Sequence, residues 1–305
     1  MASLEPEVLV VTDEGHRAHR SASAHAERPE RADAVAAALR RASFASRLRF
    51  VSPGRATSAE VERIHARTYV QELATVCARG GGWLDADTYA TPSSLDVAMV
   101  AVGAALRAAR AVVDGEARTA FAATRPPGHH AERDRAMGFC LLDQIAIAAD
   151  DLIVTGRASR VFVFDFDVHH GNGTQNAFWE RGDVFYASMH QSPCYPGTGA
   201  RHEIGRGDGE GTTLNVPLAP GTGPEEWLAA LDELVVPAIE DFRPDVLLFS
   251  AGFDAHRADP LAQCELESAT FYEITRRACE AARPTTKGRA ASVLEGGYDL
   301  TALGE

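Results

Sequence analysis

Material for disulfide chemistry is scarce in this sequence. Its 305 residues include five cysteines, at positions 77, 140, 194, 264 and 279, odd in number, irregular in spacing and without a Cys-x-x-Cys pair. A disulfide framework is therefore not expected, and a reducing compartment is. The opening residues, Met1 to Glu7, lack the positive n-region and apolar h-region of a signal peptide. Long apolar runs are lacking too: Val246–Phe249 and the alanine-rich run near residue 101 are too short or too interrupted to span a bilayer. A cytoplasmic protein without a membrane partner is the expectation. Positive charge is outweighed, with 30 Lys and Arg against 43 Asp and Glu, a net −13. Binding a nucleic-acid backbone needs clustered Lys and Arg, which argues against such a partner. The acidity suits solubility more simply than it suits a cationic ligand. Internal repeats and low-complexity linkers are also absent, so residues 1–305 read as one domain. The sequence is compatible with a homo-oligomer and does not specify one.

What remains is a regular alternation. Short apolar or β-branched runs at Val8–Thr12, Thr119–Ala123, Val161–Asp165, Val184–Ser188, Val246–Ser250 and Ala291–Leu294 read as strands, most of them buried on both faces. Between them, Arg28–Arg41, Ser94–Val113, Leu141–Val154, Pro224–Phe242 and Leu266–Ala282 repeat apolar residues at helical spacing. Such strands, separated by helices, predict an α/β fold with a mainly parallel central sheet and helices on each side. From Gln191 to Gly223 glycine and proline are frequent and periodicity is weak, so a long functional loop is expected there. In open α/β sheets ligands gather beyond the C-terminal ends of the strands. Arg125–His130, Asp165–Asn172, Ser250–Asp259 and Glu295–Tyr298 each follow a predicted strand, so four strand ends meet at one rim.

Asp165-Phe166-Asp167-Val168-His169 ends the third of these strands. In extended backbone Asp165, Asp167 and His169 would share one side. Charges that end a buried strand need partners, which favours a metal or a dense polar network over a lone hydrogen-bonded histidine. Asp254, beyond the small-residue turn Ala251-Gly252, offers another carboxylate; in isolation it would pass for an Asx turn or a helix cap. Two aspartates and one histidine leave a coordination position open, as in catalytic sites, and their oxygen-rich set allows zinc, iron or manganese. A metal so held activates water and polarises a carbonyl oxygen.

His129 and His130 follow the rigid Pro126-Pro127-Gly128 turn. One can take the proton of the attacking water while the other assists delivery to a leaving amine. Asp165 and Asn172 are the candidates for orienting them, and only the carboxylate raises imidazole basicity. Tyr298, after Gly296-Gly297, carries a neutral donor suited to an oxyanion, although a core tyrosine would need no such role.

Arg125–His130, Gly138–Cys140, Asp165–Gln175, Tyr195–Gly199, Ala251–Asp254 and Leu294–Tyr298, in this order, resemble the zinc-dependent histone deacetylase and acetylpolyamine amidohydrolase superfamily, over roughly Asp13 to Leu300. The resemblance implies a three-layer arginase/deacetylase-like α/β fold. It implies zinc on Asp167, His169 and Asp254, proton handling by His129 and His130, and carbonyl polarisation by Tyr298. It also implies a structural potassium ion on Asp165, Ser188 and the backbone carbonyls of Asp167, His169 and Met189. A second monovalent site would use the carbonyls of Phe178, Arg181 and Val184. Gly138, Phe139 and Tyr195 match positions along an acyl channel.

Asn172 and the Leu-Glu-Gly-Gly-Tyr block resemble the class II and bacterial deacetylase-like branches. Leu261 stands where polyamine-selective relatives carry glutamate, which weighs towards acyl-lysine. An acidic rim residue is implied between Gly80 and Ser94, either Asp85 or Asp87. Relatives continue into a closing helix beyond the point where this sequence stops, seven residues after Tyr298. The expected activity is zinc-dependent hydrolysis of an acylated lysine or a small N-acyl amine. Its rivals are an acetylpolyamine amidohydrolase, a dimanganese ureohydrolase suggested by Asp254-Ala255-His256-Arg257-Ala258-Asp259, and a non-catalytic acyl-lysine binder.

Overall fold

The computed structural model describes residues 8–305, so the opening residues 1–7 lie outside it. Among the described residues ten strands occur in chain order. They are β1 (Val8–Val11), β2 (Leu48–Val51), β3 (Gly82–Trp83), β4 (Tyr89–Ala90), β5 (Thr119–Ala122), β6 (Val161–Asp165), β7 (Val184–Gln191), β8 (Thr213–Leu218), β9 (Val246–Ala251) and β10 (Ala290–Leu294). Eight of them form one sheet in the order β2-β1-β5-β10-β9-β6-β7-β8, with every pair parallel. The short β3–β4 pair is an antiparallel hairpin apart from it.

The alternation of side chains along a strand explains why β6, Val-Phe-Val-Phe-Asp, is buried along its whole length. Val161 and Val163 face one core with Val184, Tyr186, Val246, Leu248, Ala291 and Val293. Phe162 and Phe164 face the opposite core with Phe185, Leu247 and Phe249. The first core is closed by α4 (Ser94–Val113) and α5 (Gln144–Val154), preceded by α1 (Glu30–Arg41), α2 (Ser58–Val61) and α3 (Arg67–Ala78). The second is closed by α7 (Pro224–Ala230), α8 (Val236–Phe242) and α9 (Ser268–Thr286). A short α6 (Asn172–Phe178) follows β6, and α10 (Leu300–Gly304) packs on α1. The result is the helix–sheet–helix α/β architecture expected, with all C-terminal strand ends on one edge.

Several elements depart from expectation for physical reasons. The helix expected over Pro224–Phe242 is interrupted by a π turn at Leu231–Val235, because Pro237 has no N–H to continue the ladder. The helix expected from Leu141 begins at Gln144, where the Asp143 carboxylate caps it by accepting from the Ala146 amide at 2.9 Å. The Gln191–Gly223 segment is not all loop. It includes β8, an edge strand whose Pro217 is tolerated because an edge need not donate on its outer side. Asp167 and His169 do not continue the strand, which stops at Asp165. A turn gathers them, with the Asp167 amide donating to Asp165 Oδ1 (3.1 Å) and the His169 amide to Asp167 Oδ1 (2.9 Å). Among the described residues no helix is long and apolar enough to cross a membrane.

Candidate active site

The turn after β6 and the loop after β9 bring Asp167, His169 and Asp254 together, with one ligand atom of each within 4.8 Å of the others and all three buried. His169 Nδ1 lies 3.2 Å from Asp167 Oδ1 and 3.0 Å from Asp254 Oδ2. Asp254 is held by accepting the Val168 amide on Oδ1 at 2.9 Å, and Asp167 Oδ2 by accepting the Gly296 amide at 2.7 Å. A Cβ on Gly296 would lie 2.1 Å from Asp254 Oδ2 and 2.5 Å from Asp167 Oδ2, so only glycine lets this loop approach. Two carboxylates converging on one imidazole nitrogen in buried surroundings need a cation among them, either a proton or a metal. Burial opposes a charged ring, yet Asp167 and Asp254 outweigh it and hold His169 well above the usual histidine range. The donor set fits a small divalent ion, whose bonds to nitrogen and oxygen are about 2.0–2.2 Å.

The tandem histidines stand side by side, ring centroids 4.0 Å apart, and have different partners. His129 Nδ1 faces Asp165 Oδ2 at 2.9 Å, and the same oxygen accepts the Tyr186 hydroxyl at 3.0 Å. His130 Nδ1 faces Asn172 Oδ1 at 2.9 Å. The Asn172 amide nitrogen donates to Glu132 Oε1 (2.7 Å), so its oxygen is the atom left for His130, whose Nδ1 therefore carries the hydrogen. Burial disfavours the charged form of both rings. For His129 the Asp165 and Asp167 carboxylates win and raise it to about 10. For His130 burial acts together with the charges of His129 and His169, and the value falls well below the usual range.

Behind Tyr298 lies a buried charge cluster that motif reading missed. Arg31 Nε donates to the Gly297 carbonyl at 2.5 Å, another of its nitrogens donates to the Glu295 carbonyl, and its guanidinium lies 4.6 Å from the Tyr298 ring centroid. Glu27, fully buried, joins Arg31 (3.5 Å) to Arg125, whose Nε donates to Glu27 Oε1 at 2.6 Å. Burial works against a charged Glu27, but Arg125 overrides it and lowers the carboxyl to about 2. The available signal was a Glu–Arg pair four residues apart, which on a helix start reads as an ordinary solvated pair.

A cavity of about 210 Å³ opens onto these groups, lined by Asp87, His130, Gly138, Phe139, His169, Tyr195, Leu261 and Tyr298. Gly138 has φ +55, and a Cβ there would lie 2.4 Å from the His130 ring and 2.9 Å from Tyr195. Asp87 lines the cavity; Asp85 instead accepts the Asp87 and Thr88 amides (3.0 and 2.7 Å) and shapes the turn that presents Asp87. Ser188 and Met189 lie buried on β7, away from the cavity lining, with Ser188 at the position paired with Asp165 on β6. The Phe178 carbonyl accepts the Arg181 amide at 3.0 Å, and the Arg181 carbonyl accepts the Thr212 hydroxyl at 3.1 Å. In the ureohydrolase-like segment, Asp259 is engaged by the amides of Leu261 and Tyr298, and neither it nor His256 belongs to the Asp167 cluster.

Comparison with known proteins identifies the family. The histone deacetylase domain model matches residues 25–305. A histone deacetylase-like amidohydrolase of Pseudomonas aeruginosa is 39% identical, covering 91% of this chain and 73% of that protein. A probable deacetylase of Methanothermobacter thermautotrophicus is 44% identical, over 92% of this chain and 82% of the relative. The crystal structure of the HDA15 HD domain superposes with a TM-score of 0.93 at 36% identity, covering 98% of this chain and 87% of the other. With the family model spanning most of its length, the chain belongs to the histone deacetylase family.

Proposed function

We propose that this protein is a zinc-dependent amidohydrolase that removes acetyl or a related acyl group from the ε-amine of lysine or from a small N-acyl amine. The observation that carries the proposal is the convergence of Asp167, His169 and Asp254 beside a cavity also lined by His130 and Tyr298. Zinc held by those three side chains would supply Lewis acidity, activating water and polarising the substrate carbonyl. The residues around it then divide the remaining work. Phe139 and Tyr195 wall the channel for the acyl-bearing methylene chain, and Asp87 at its mouth accepts a substrate N–H.

His130 is kept neutral by burial and by its like-charged neighbours, so it accepts the proton of the attacking water and returns it to the amine as the C–N bond breaks. His129, held charged by Asp165, places a positive field beside the developing oxyanion, and the Tyr298 hydroxyl donates to that oxygen. Asp165 and Ser188, with the carbonyls of Asp167, His169 and Met189, would hold a structural potassium ion beneath the site. The substrate preference rests on Leu261, an apolar residue at the mouth where a cationic polyamine would need an acid. A panel of acetyl-lysine peptide, acetylpolyamine and longer acyl-lysine tests it. We expect the highest kcat/KM on a lysine substrate; a higher value on acetylpolyamine would overturn the preference.

A further inference from the structure

A second cluster of potential ligands adjoins the site and shares His129 with it, while its Cys140 and Glu295 side chains have no part in the chemistry above. His129, Cys140 and Glu295 are all buried, with one ligand atom of each within 4.8 Å of the others. Nδ1 of His129 is committed to Asp165 at 2.9 Å, and Nε2, 3.9 Å from Asp167 Oδ2, is the nitrogen left to ligate. Glu295 accepts the amides of Gly128 (2.6 Å) and His129 (3.2 Å) on Oε2 alone. Its Oε1 is buried without a hydrogen-bond partner. A buried carboxylate oxygen left unpaired is costly and calls for an explanation. Cys140 lies fully buried and donates only to the Gly138 carbonyl, at 3.3 Å.

We propose that His129, Cys140 and Glu295 form a second divalent-metal site, thiophilic in character, whose filling inhibits turnover by engaging the histidine beside the first site. A nitrogen, a sulfur and a carboxylate oxygen are a borderline-soft set that suits zinc or cobalt, and two anionic donors balance a dication. The first site, with oxygen and nitrogen donors only, differs in kind. On binding, the thiol proton and any proton on His129 Nε2 leave to solvent, the metal–ligand bonds form, and nothing is oxidised or reduced. The inhibition rests on the deacylation proposed above; the binding does not.

The test is a titration of chelated, full-length protein with cobalt(II), followed by absorption and by turnover of an acetyl-lysine peptide. The first equivalent should give ligand-field bands without a thiolate-to-cobalt charge-transfer band. Excess cobalt should add that band, saturably, while turnover falls at least several-fold over the same range. Cys140→Ala should abolish the band and the inhibition together, and Glu295→Gln should shift both to higher cobalt. No charge-transfer band in the unaltered protein overturns the site, whatever the variants do. A band that survives Cys140→Ala also overturns it by assigning the thiolate to another of the free cysteines. A saturating band with undiminished turnover contradicts the inhibition. Absence of any turnover at one equivalent faults the deacylase assignment, while the charge-transfer band still decides for or against the second site.

Discussion

Asp165 accepts from His129, from Tyr186 and from the amide of Asp167, so one carboxylate fixes a histidine and the turn that carries two candidate ligands. Tyr298 is different: its ring is fixed by Arg31 and by Phe139 (centroids 5.6 Å apart), leaving its hydroxyl free for substrate. Tyr298→Phe should therefore fold and keep its metal, while kcat falls by about 10²–10³, the usual consequence of losing one oxyanion donor. Unchanged kcat would remove Tyr298 from the chemistry. His65 offers a test of protonation that is independent of activity. Its Nδ1 lies 2.8 Å from the Glu132 carbonyl and its Nε2 accepts the Asp143 amide at 2.8 Å, an arrangement only the neutral ring can make. Burial lowers its pKa to about 4. Because the folded value lies below the unfolded 6.5, the unfolded chain binds more protons between those values, and the His65 contribution is lost as pH falls through that window. The stability advantage of the unaltered protein over His65→Gln should shrink between about pH 6.5 and 4, as read from urea midpoints. A constant difference would contradict the neutral assignment.

At the level of elements, the site is a set of loops pinned by buried charge. The Glu27–Arg31–Arg125 cluster ties the segment before α1 to the turn after β5 and to the loop after β10. Removing the carboxylate leaves two buried guanidinium groups short of a partner. Glu27→Gln should cost about 3–5 kcal/mol in urea unfolding, the range for breaking a buried ion pair from one side. A loss below about 1 kcal/mol, far under that range, would show the cluster to be dispensable. The central strands and long helices were legible because burial on both faces or on one stripe leaves a periodic trace. The edge strands β2 and β8 were not, since a half-buried edge carrying Arg49 or Pro217 has little hydrophobic signal. The candidate ligands and tandem histidines were legible from type and spacing. The choice between Asp85 and Asp87 was not, because it depends on which carboxylate the turn spends on its own amides.

For the whole molecule, an all-parallel sheet places every strand's C-terminal end on one edge, and the loops after β5, β6, β9 and β10 meet there. That topology lets carboxylates distant in sequence, Asp167 and Asp254, reach one imidazole. It also brings His130 and Tyr298 to the same cavity, with His129 beside His130. On the function we propose, this convergence holds one catalytic zinc. The most direct test is zinc titration of chelated protein with acetyl-lysine peptide turnover and metal content measured together. Activity should rise in proportion to bound zinc up to one ion per chain. Turnover indifferent to chelation, or requiring two manganese ions per chain, would show that the site does not work through one zinc.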